Sequence, residues 1–367
     1  MKITRLQLEN FRNYDSYEFI FPEGKDFIIL VGDNGKGKTN LLESLYILSI
    51  GRSFRTMENE YMINWSKTHF RCKADLFYDD EQTSLEVFYS SAPIKQKNFK
   101  KNSVNLKNSE YVGNMLTVLF HPEDLNMLYL SPSFRRKYMD ILLSQVDKKY
   151  LLDLSNYKKI IKQRNSLLHF LRDKKFKGEP MGTLLEDLDV WDIKLVEHGI
   201  RIISKRRKLV EFFGDKIGEK YKAISGKEEK CKIKYSTKIL SDTDDYLQQI
   251  KDKRFLDIRN AKTSIGPHID DLIFYIDNME IFASASRGEF RTILLAMKLI
   301  EIEFIKEQTG FLPILLLDDV FSELDKSRQK QLIDAIEGCQ TIITTTNAYD
   351  LSEIAHKKAN IEFVNML

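Results

Sequence analysis

Eight consecutive residues, Gly32-Asp33-Asn34-Gly35-Lys36-Gly37-Lys38-Thr39, fit the phosphate-binding pattern GxxxxGK[ST]. Glycines at this spacing let backbone N–H groups turn inward around phosphate oxygens, and a helix opening behind them adds the positive end of its dipole. Lys38 would reach the outer phosphates, Thr39 would hold Mg²⁺, and Asn40 continues the same binding run. A second segment complements the first. Pro313-Ile314-Leu315-Leu316-Leu317-Asp318-Asp319 is an apolar strand ending in two carboxylates, the form of a Walker B segment. Asp318 would act through Mg²⁺, directly or by a bound water. Asp319 could orient or deprotonate an attacking water. The implied chemistry is binding and metal-assisted hydrolysis of a nucleoside triphosphate.

Two further segments follow the same theme. Ser284-Ala285-Ser286-Arg287-Gly288-Glu289 precedes an apolar-periodic helix, and a small-residue turn at a helix N-terminus is another anion site. Ser322-Glu323-Leu324-Asp325 comes soon after the Asp pair. P-loop, Ser-x-Gly-Glu, Asp-Asp and Ser-x-Leu-Asp, in that order, make the sequence of parts found in ABC-type ATPase heads.

These residues need a scaffold. Phe27–Val31 is a β-branched apolar run that reads as a buried strand, and Asn40–Leu48 carries apolar residues at helical spacing. Arg71–Tyr78 and Thr83–Tyr89 alternate, which predicts an antiparallel hairpin turning at Asp79–Glu81. The polar stretch Lys95–Lys107 reads as a loop or edge hairpin. After Pro132 the spacing becomes helical, breaks at Lys177–Gly182, and resumes from Leu184, which predicts a helical hairpin. Strands return with Asp271–Ile276, the turn pair Asp277-Asn278 and Met279–Ala283. A helix over Glu289–Lys306, a strand at Ile314–Leu317, a short helix and a strand at Thr341–Thr344 close the pattern. The expected fold is α/β: an ABC-type P-loop ATPase head, with mixed sheet and helices, built from residues 1–125 and 260–367. A mostly α-helical, basic domain, residues 126–259, is inserted.

Composition narrows the class. At 367 residues, 43% hydrophobic and 30% charged, the chain is an ordinary globular protein. No apolar run approaches a membrane span, and the charged start, Met1–Glu9, does not read as a secretory leader. Cys72, Cys231 and Cys339 form no CxxC pair and suggest neither zinc site nor disulfide framework, so a cytoplasmic location is expected. Net charge is only +3, yet residues 131–235 hold 26 Lys and Arg against 15 Asp and Glu. Such asymmetry marks either a nucleic-acid-binding part or a solvated lysine-rich helical surface.

The chain resembles the RecF family of bacterial recombination-repair ATPases, which are related to SMC-type heads. The resemblance runs along essentially the full length. It is carried by Leu8–Tyr14, by the P-loop with Asn40–Glu43, and by Phe120–Leu125 and Ser131–Arg136. It continues through Thr263–Asp271, Ser286–Arg291 and Leu317–Asp325. Ile269 stands where Arg is usual, and Arg287 and Glu289 where Gln is frequent. The last strand runs into Thr344-Thr345-Thr346-Asn347, without the switch histidine of transporter-type subunits.

The resemblance implies an ATP- and Mg²⁺-dependent clamp. Ser286, Gly288 and Glu289 would cap ATP held by a partner head, with Ser322 and Asp325 as the D-loop, so that ATP drives homodimerisation. Hydrolysis would be slow, a timer. Arg12 becomes a candidate nucleotide contact, and Glu123 and Asp124 candidates for a metal- and water-sensing loop. His121 and His268 read as hydrogen-bonded structural residues. Double-stranded DNA near single-strand gaps would be the polymer, with RecO and RecR as partners in loading RecA. Arg135, Arg136, Lys137, Lys205, Arg206, Arg207 and Lys208 are candidate phosphate contacts, although helical spacing spreads the last four around their helix.

Three alternatives stay open. An ABC transporter ATPase subunit would need a membrane partner and usually the switch histidine. A small-molecule P-loop kinase or a GTPase is the second, and a GTPase needs an NKxD segment, which is absent. A clamp that senses ATP without hydrolysing it leaves the same motifs. Lys38→Met should abolish nucleotide binding in equilibrium titration; wild-type affinity in that variant would defeat the P-loop assignment.

Overall fold

The computed structural model describes residues 1–366 apart from 79–80, 181, 240–241 and 347–359. The chain begins β1 (Lys2–Phe11), β2 (Tyr14–Ile20), β3 (Phe27–Val31), α1 (Lys38–Ile50), β4 (His69–Tyr78), β5 (Glu81–Ser90), β6 (Gln96–Lys101), β7 (Val104–Leu106), α2 (Asn108–Tyr111) and β8 (Thr117–Phe120). It continues as α3 (Asn126–Tyr129), α4 (Pro132–Val146), α5 (Lys148–Phe176), α6 (Leu184–Ser225), β9 (Cys231–Ser236) and α7 (Thr243–Asn260). Then come β10 (Asp271–Ile276), β11 (Met279–Glu280), α8 (Ile281–Ser284), α9 (Arg287–Thr309), β12 (Ile314–Asp318), α10 (Lys326–Ala335), β13 (Thr341–Thr345) and β14 (Ile361–Asn365). Among the described residues no helix is long and apolar enough to cross a membrane.

Two compact units result, one from residues 1–125, 219–227 and 286–367, the other from 126–218 and 228–285. This corrects the boundary expected at 259/260. β10 pairs with β9 in antiparallel register, Leu272 opposite Tyr235, and so belongs to the inserted unit. The strand expected over Met279–Ala283 also shortens: only Met279 and Glu280 pair, and the chain turns helical at Ile281, which is fully buried.

In the first unit, a five-stranded sheet has the order β14-β3-β13-β12-β8, with every neighbour parallel. β3 and β12 read as continuous apolar runs because both faces of a parallel sheet are covered. Ile28, Leu30 and Ile314–Leu317 have essentially no exposed surface. α1 is buried almost all round, and its polar residues are bonded internally, Ser44 to the Leu41 carbonyl and Ser49 to that of Met115. A second, antiparallel sheet, β2-β1-β4-β5-β6-β7, alternates buried and exposed positions. The Gln340 amide joins the two sheets by exchanging hydrogen bonds with both backbone groups of Ile3, at 2.6 and 2.9 Å.

In the second unit the first arm of the expected hairpin is two helices. Asp147 leaves the helical region and caps α5, accepting from the Lys149 and Tyr150 amides at 2.9 and 3.0 Å. α5 and α6 then run antiparallel, tied by buried charge. Arg164 donates to Asp192 (2.6 Å), Asp257 (2.8 Å) and the Thr263 hydroxyl (2.8 Å). The run Thr263–Asp271 is a hydrogen-bonded hub within this unit. Ser264 caps onto Asp257, Arg206 donates to the Pro267 carbonyl, and Tyr235 donates to Asp270. Gly266, at φ +133°, lies so close to Tyr157 and Tyr246 that a Cβ would sit 2.3 and 2.5 Å from their hydroxyls.

His268 completes the hub. Tyr157 donates to Nδ1 at 2.8 Å, and Nε2–H donates to the Thr263 carbonyl at 3.0 Å, so the neutral ring is the one that fits. Burial pulls its pKa from 6.5 to about 4. A depressed folded-state pKa gives stability that is present above 6.5 and lost as pH falls toward 4. The loss should reach about 3 kcal/mol. Denaturant midpoints measured from pH 7 to 4.5 should fall more steeply for the wild type than for His268→Asn; equal slopes would remove this residue as the cause.

Candidate functional site

The P-loop leaves β3 at Val31 and enters α1 at Lys38. Gly35 and Gly37 take φ +86° and +96°, the left-handed region that suits glycine. At Gly37 a Cβ would also meet the Asn13 amide and Tyr14 hydroxyl at 2.7 Å. Tyr14 donates to the Gly37 carbonyl (3.1 Å), and Asn40 donates to Asn13 (2.8 Å), so β2 and the turn before it brace the loop. Gly32 has a different reason: a Cβ there would press on the Met366 carbonyl at 2.8 Å, just past β14. The Lys38 ammonium donates to the carbonyls of Gly32 (2.6 Å) and Asp33 (2.9 Å).

The strand order brings the other groups to this loop. Parallel strands deliver their carboxyl ends to one edge of the sheet, and β12 ends there with Asp318. Its Oδ1 accepts from Thr39 at 2.8 Å and from Thr344, on β13, at 2.9 Å. His121, just past β8, places Nε2 3.6 Å from Asp318 Oδ2. Its Nδ1 accepts from the Glu123 amide at 3.2 Å, which leaves the ring proton on Nε2, facing Asp318. Asp319 adopts φ +51°, and its amide donates to the Thr344 hydroxyl at 2.9 Å.

Thr39 and Asp318 fit Mg²⁺. They offer a hydroxyl and a carboxylate, hard oxygens that lie within a hydrogen bond of each other. Among the described residues no cluster of three or more His, Cys, Asp or Glu forms a protein cage. That suits a cation shared between one carboxylate, a hydroxyl and substrate phosphates.

Arg12 is anchored from the side. Its Nε and Nη2 grip Glu43 at 2.8 and 2.7 Å, and Nη1 donates to the Tyr61 carbonyl at 2.6 Å. Glu43 is completely buried and also accepts from Ser53, with Arg55 3.5 Å away. The guanidinium opens onto a cavity of about 800 Å³, lined also by Arg55, Tyr61, Trp65, His121 and Glu123. Asp124 turns away from it, accepting from the His121 amide at 3.1 Å and pairing with Lys298 at 3.3 Å.

Ser286 and Glu289 form a capping box at the head of α9: the Ser286 amide donates to Glu289 (2.6 Å), and the Glu289 amide donates to the Ser286 hydroxyl (3.3 Å). The bond from the Ser286 amide holds the Glu289 carboxyl below its usual pKa. Glu therefore serves where Gln is frequent. Ser286 and Gly288 are exposed. Ser322 donates to the Asp319 carbonyl at 2.7 Å, and Asp325 caps α10 through the Arg328 amide at 2.9 Å. Asn347, where a switch residue was sought, lies outside the described residues.

The basic candidates, all in the second unit, divide sharply. Arg135 and Arg206 are corrected: each is only 2% exposed. Arg135 grips Asp271 with two bonds at 2.7 and 2.8 Å, and Arg206 binds Asp140 at 2.7 Å and the Pro267 carbonyl at 2.6 Å. Both are internal ties rather than surface phosphate contacts. Arg136 donates to the Asp270 carbonyl (2.8 Å), Arg207 to that of Ile239, and Lys205 pairs with Asp147 (2.6 Å). Lys137 is half-buried, and Lys208 is exposed.

Sequence reasoning gave His121 a structural part and passed over Thr344 and Glu43 as site residues. The signal for His121 was its place one residue past an apolar strand. Thr344 ends the next strand in the same way. Glu43 alone gave no signal, since its partner Arg12 lies on another element.

A parallel sheet whose strand ends converge on a phosphate loop is a P-loop ATPase core, and the added antiparallel sheet and the capped signature turn opening α9 make it an ABC-type head. The sequence profile of the RecF/RecN/SMC N-terminal domain family matches residues 2–365. The "DNA replication and repair protein RecF" of Natranaerobius thermophilus is 37% identical over 96% of this chain and 93% of its own length. That of Pediococcus pentosaceus is 37% identical over 98% and 95%. This chain belongs to that family and to the RecF proteins within it. A solved structure of the recombination mediator protein RecF with ATP, from the RecFOR pathway, is 32% identical, with a TM-score of 0.86 over 99% of this chain and 95% of that one. The Smc head domain of Pyrococcus furiosus, 15% identical with a TM-score of 0.52 over 100% and 94%, shares the fold.

Glu43→Gln should cost about 3 kcal/mol, because it leaves the largely buried Arg12 guanidinium without its counter-charge. Denaturant unfolding checks this; a wild-type midpoint would mean that the pair contributes nothing.

Proposed function

We propose that this chain is an ATP-gated DNA-binding clamp of replication and recombinational repair, in which two heads close on ATP and slow hydrolysis reopens them. The carrying observation is Gly288. It sits in the first turn of α9 without a left-handed φ, and a Cβ would meet nothing nearer than the Ser286 hydroxyl at 3.9 Å. Among the described residues nothing requires glycine there, although glycine weakens a helix relative to alanine. A close approach from outside supplies the reason, and the phosphates of ATP on a second copy fit an exposed helix N-terminus capped by Ser286.

On this reading each head binds ATP in cis through Gly32–Asn40 and offers Ser286, Gly288 and Glu289 in trans, with Ser322 and Asp325 beside them. Lys38 exchanges its loop carbonyls for the outer phosphates. Thr39 and Asp318 hold Mg²⁺, which when bound offsets the charge that develops on the transferred phosphoryl group. Asp319 orients and deprotonates water, and His121 directs its Nε2 proton toward Asp318. Arg12 keeps donors free of Glu43 and Tyr61 for a phosphate. Linkage makes ATP a dimerising ligand, since the trans contacts exist only in the dimer.

DNA as the polymer is supported by family membership and by the basic excess over residues 131–235. Exposed Lys208 and the surface pair of Lys205 remain as phosphate contacts, and such binding weakens steeply with salt. RecO and RecR as partners are supported by the RecFOR pathway named for the similar structure, and gap junctions are the DNA structure that the family resemblance implies.

Sedimentation velocity should show monomer without nucleotide or with ADP and dimer with ATP. Gly288→Ala should keep the monomer's ATP affinity and thermal stability while raising the dimer dissociation constant at least tenfold. A variant that dimerises like wild type would defeat the trans role.

A further inference from the structure

The two trans-facing segments are far apart in sequence and open different helices. One side chain joins them. Arg328, in the first turn of α10, pairs its Nη1 with the Asp325 carboxylate. Its Nε and Nη2 both donate to the Thr292 hydroxyl, at 3.2 and 2.8 Å. Thr292 lies one turn along α9 and donates to the Gly288 carbonyl at 3.0 Å. A continuous chain of bonds therefore runs Asp325–Arg328–Thr292–Gly288, from the D-loop to the signature turn.

We propose that Arg328 is a positioning residue that locks these two segments into one edge, so that both meet the partner's nucleotide together. The inference rests on the dimer reading above and adds a specific coupling to it.

The geometry needs these residue types. Two N–H groups on one hydroxyl oxygen occupy its lone pairs and leave its proton for Gly288. Thr292 is 1% exposed, so the hydroxyl proton has little access to water. A guanidinium can hold the hydroxyl and the carboxylate at once because its fork is planar and rigid. A lysine ammonium is a point donor on a flexible stem and cannot span both with the same geometry. Valine at 292 keeps the shape and removes the link, whereas serine keeps the link.

The test uses the full chain. Arg328→Met, Arg328→Lys, Thr292→Val and Thr292→Ser are compared with wild type in two assays. A fluorescent ATP analogue reports cis binding at concentrations below dimerisation, and sedimentation velocity with ATP reports the dimer. Arg328→Met, Arg328→Lys and Thr292→Val should keep the analogue's dissociation constant within about twofold while the dimer weakens tenfold or more. Thr292→Ser should dimerise like wild type. The double variant Arg328→Met/Thr292→Val should be no worse than either single variant, as expected of residues acting in one link.

A wild-type dimer from both Arg328→Met and Thr292→Val overturns the proposal. So does a defect in Arg328→Met with none in Thr292→Val, which would make Arg328 act without the signature helix. Loss of cis binding alongside the dimer would reduce the bridge to a structural tie. Failure of the wild type itself to dimerise with ATP would instead remove the underlying dimer reading, so the two failures stay distinct.

Discussion

The Asp318 carboxylate is the point on which the site depends. One of its oxygens accepts from Thr39 on the phosphate-loop helix and from Thr344 on the neighbouring strand. A carboxylate with 5% exposure would be costly unless bonded. The bonds that satisfy it also hold the P-loop helix, β12 and β13 in register. His121 and the amide of Asp319 reach the same small region, the latter through Thr344. Structural satisfaction and placement for Mg²⁺ are thus one arrangement.

The second unit applies the same rule to larger charges. Arg135, Arg164 and Arg206 are each 2% exposed or less, and each finds a carboxylate. Buried pairs of this kind are weak evidence of net stability but strong constraints on geometry, because losing one partner strands the other. They fix α5, α6 and the Thr263–Asp271 hub against one another. Three of the arginines in the stretch that looked like a nucleic-acid face, Arg135, Arg164 and Arg206, are spent inside.

Legibility in the sequence followed the locality of the physics. β3, the glycine loop, α1 and β12 were readable because continuous apolar runs and glycine spacing are local signals. β9 was missed because Cys-Lys-Ile-Lys-Tyr-Ser alternates lysine with modest apolar residues at an edge. α7 was missed because most of its residues are polar. The break at Asp147 depends on a cap that resembles any other acidic residue in a helical stretch. The burial of Arg135 and Arg206 could not be read at all: their carboxylate partners lie 136 and 66 residues away. His121 was visible only once β8 was known to lie beside β12.

The position of β14 has a consequence for how the molecule is made. β3 lies between β13 and β14, and Gly32 packs beneath the Met366 carbonyl. The strand that launches the phosphate loop is translated long before either of its neighbours, since Phe27 pairs with Thr341 and with Ile361. Closing such long-range pairings is slow, because the loop entropy is lost before the contacts form. During translation β3 must therefore wait, an apolar edge without its flanking strands, while the helical unit emerges and can fold on its own contacts. Competence to hold a nucleotide therefore waits for β13 and β14, and a nascent chain without them lacks both neighbours of β3.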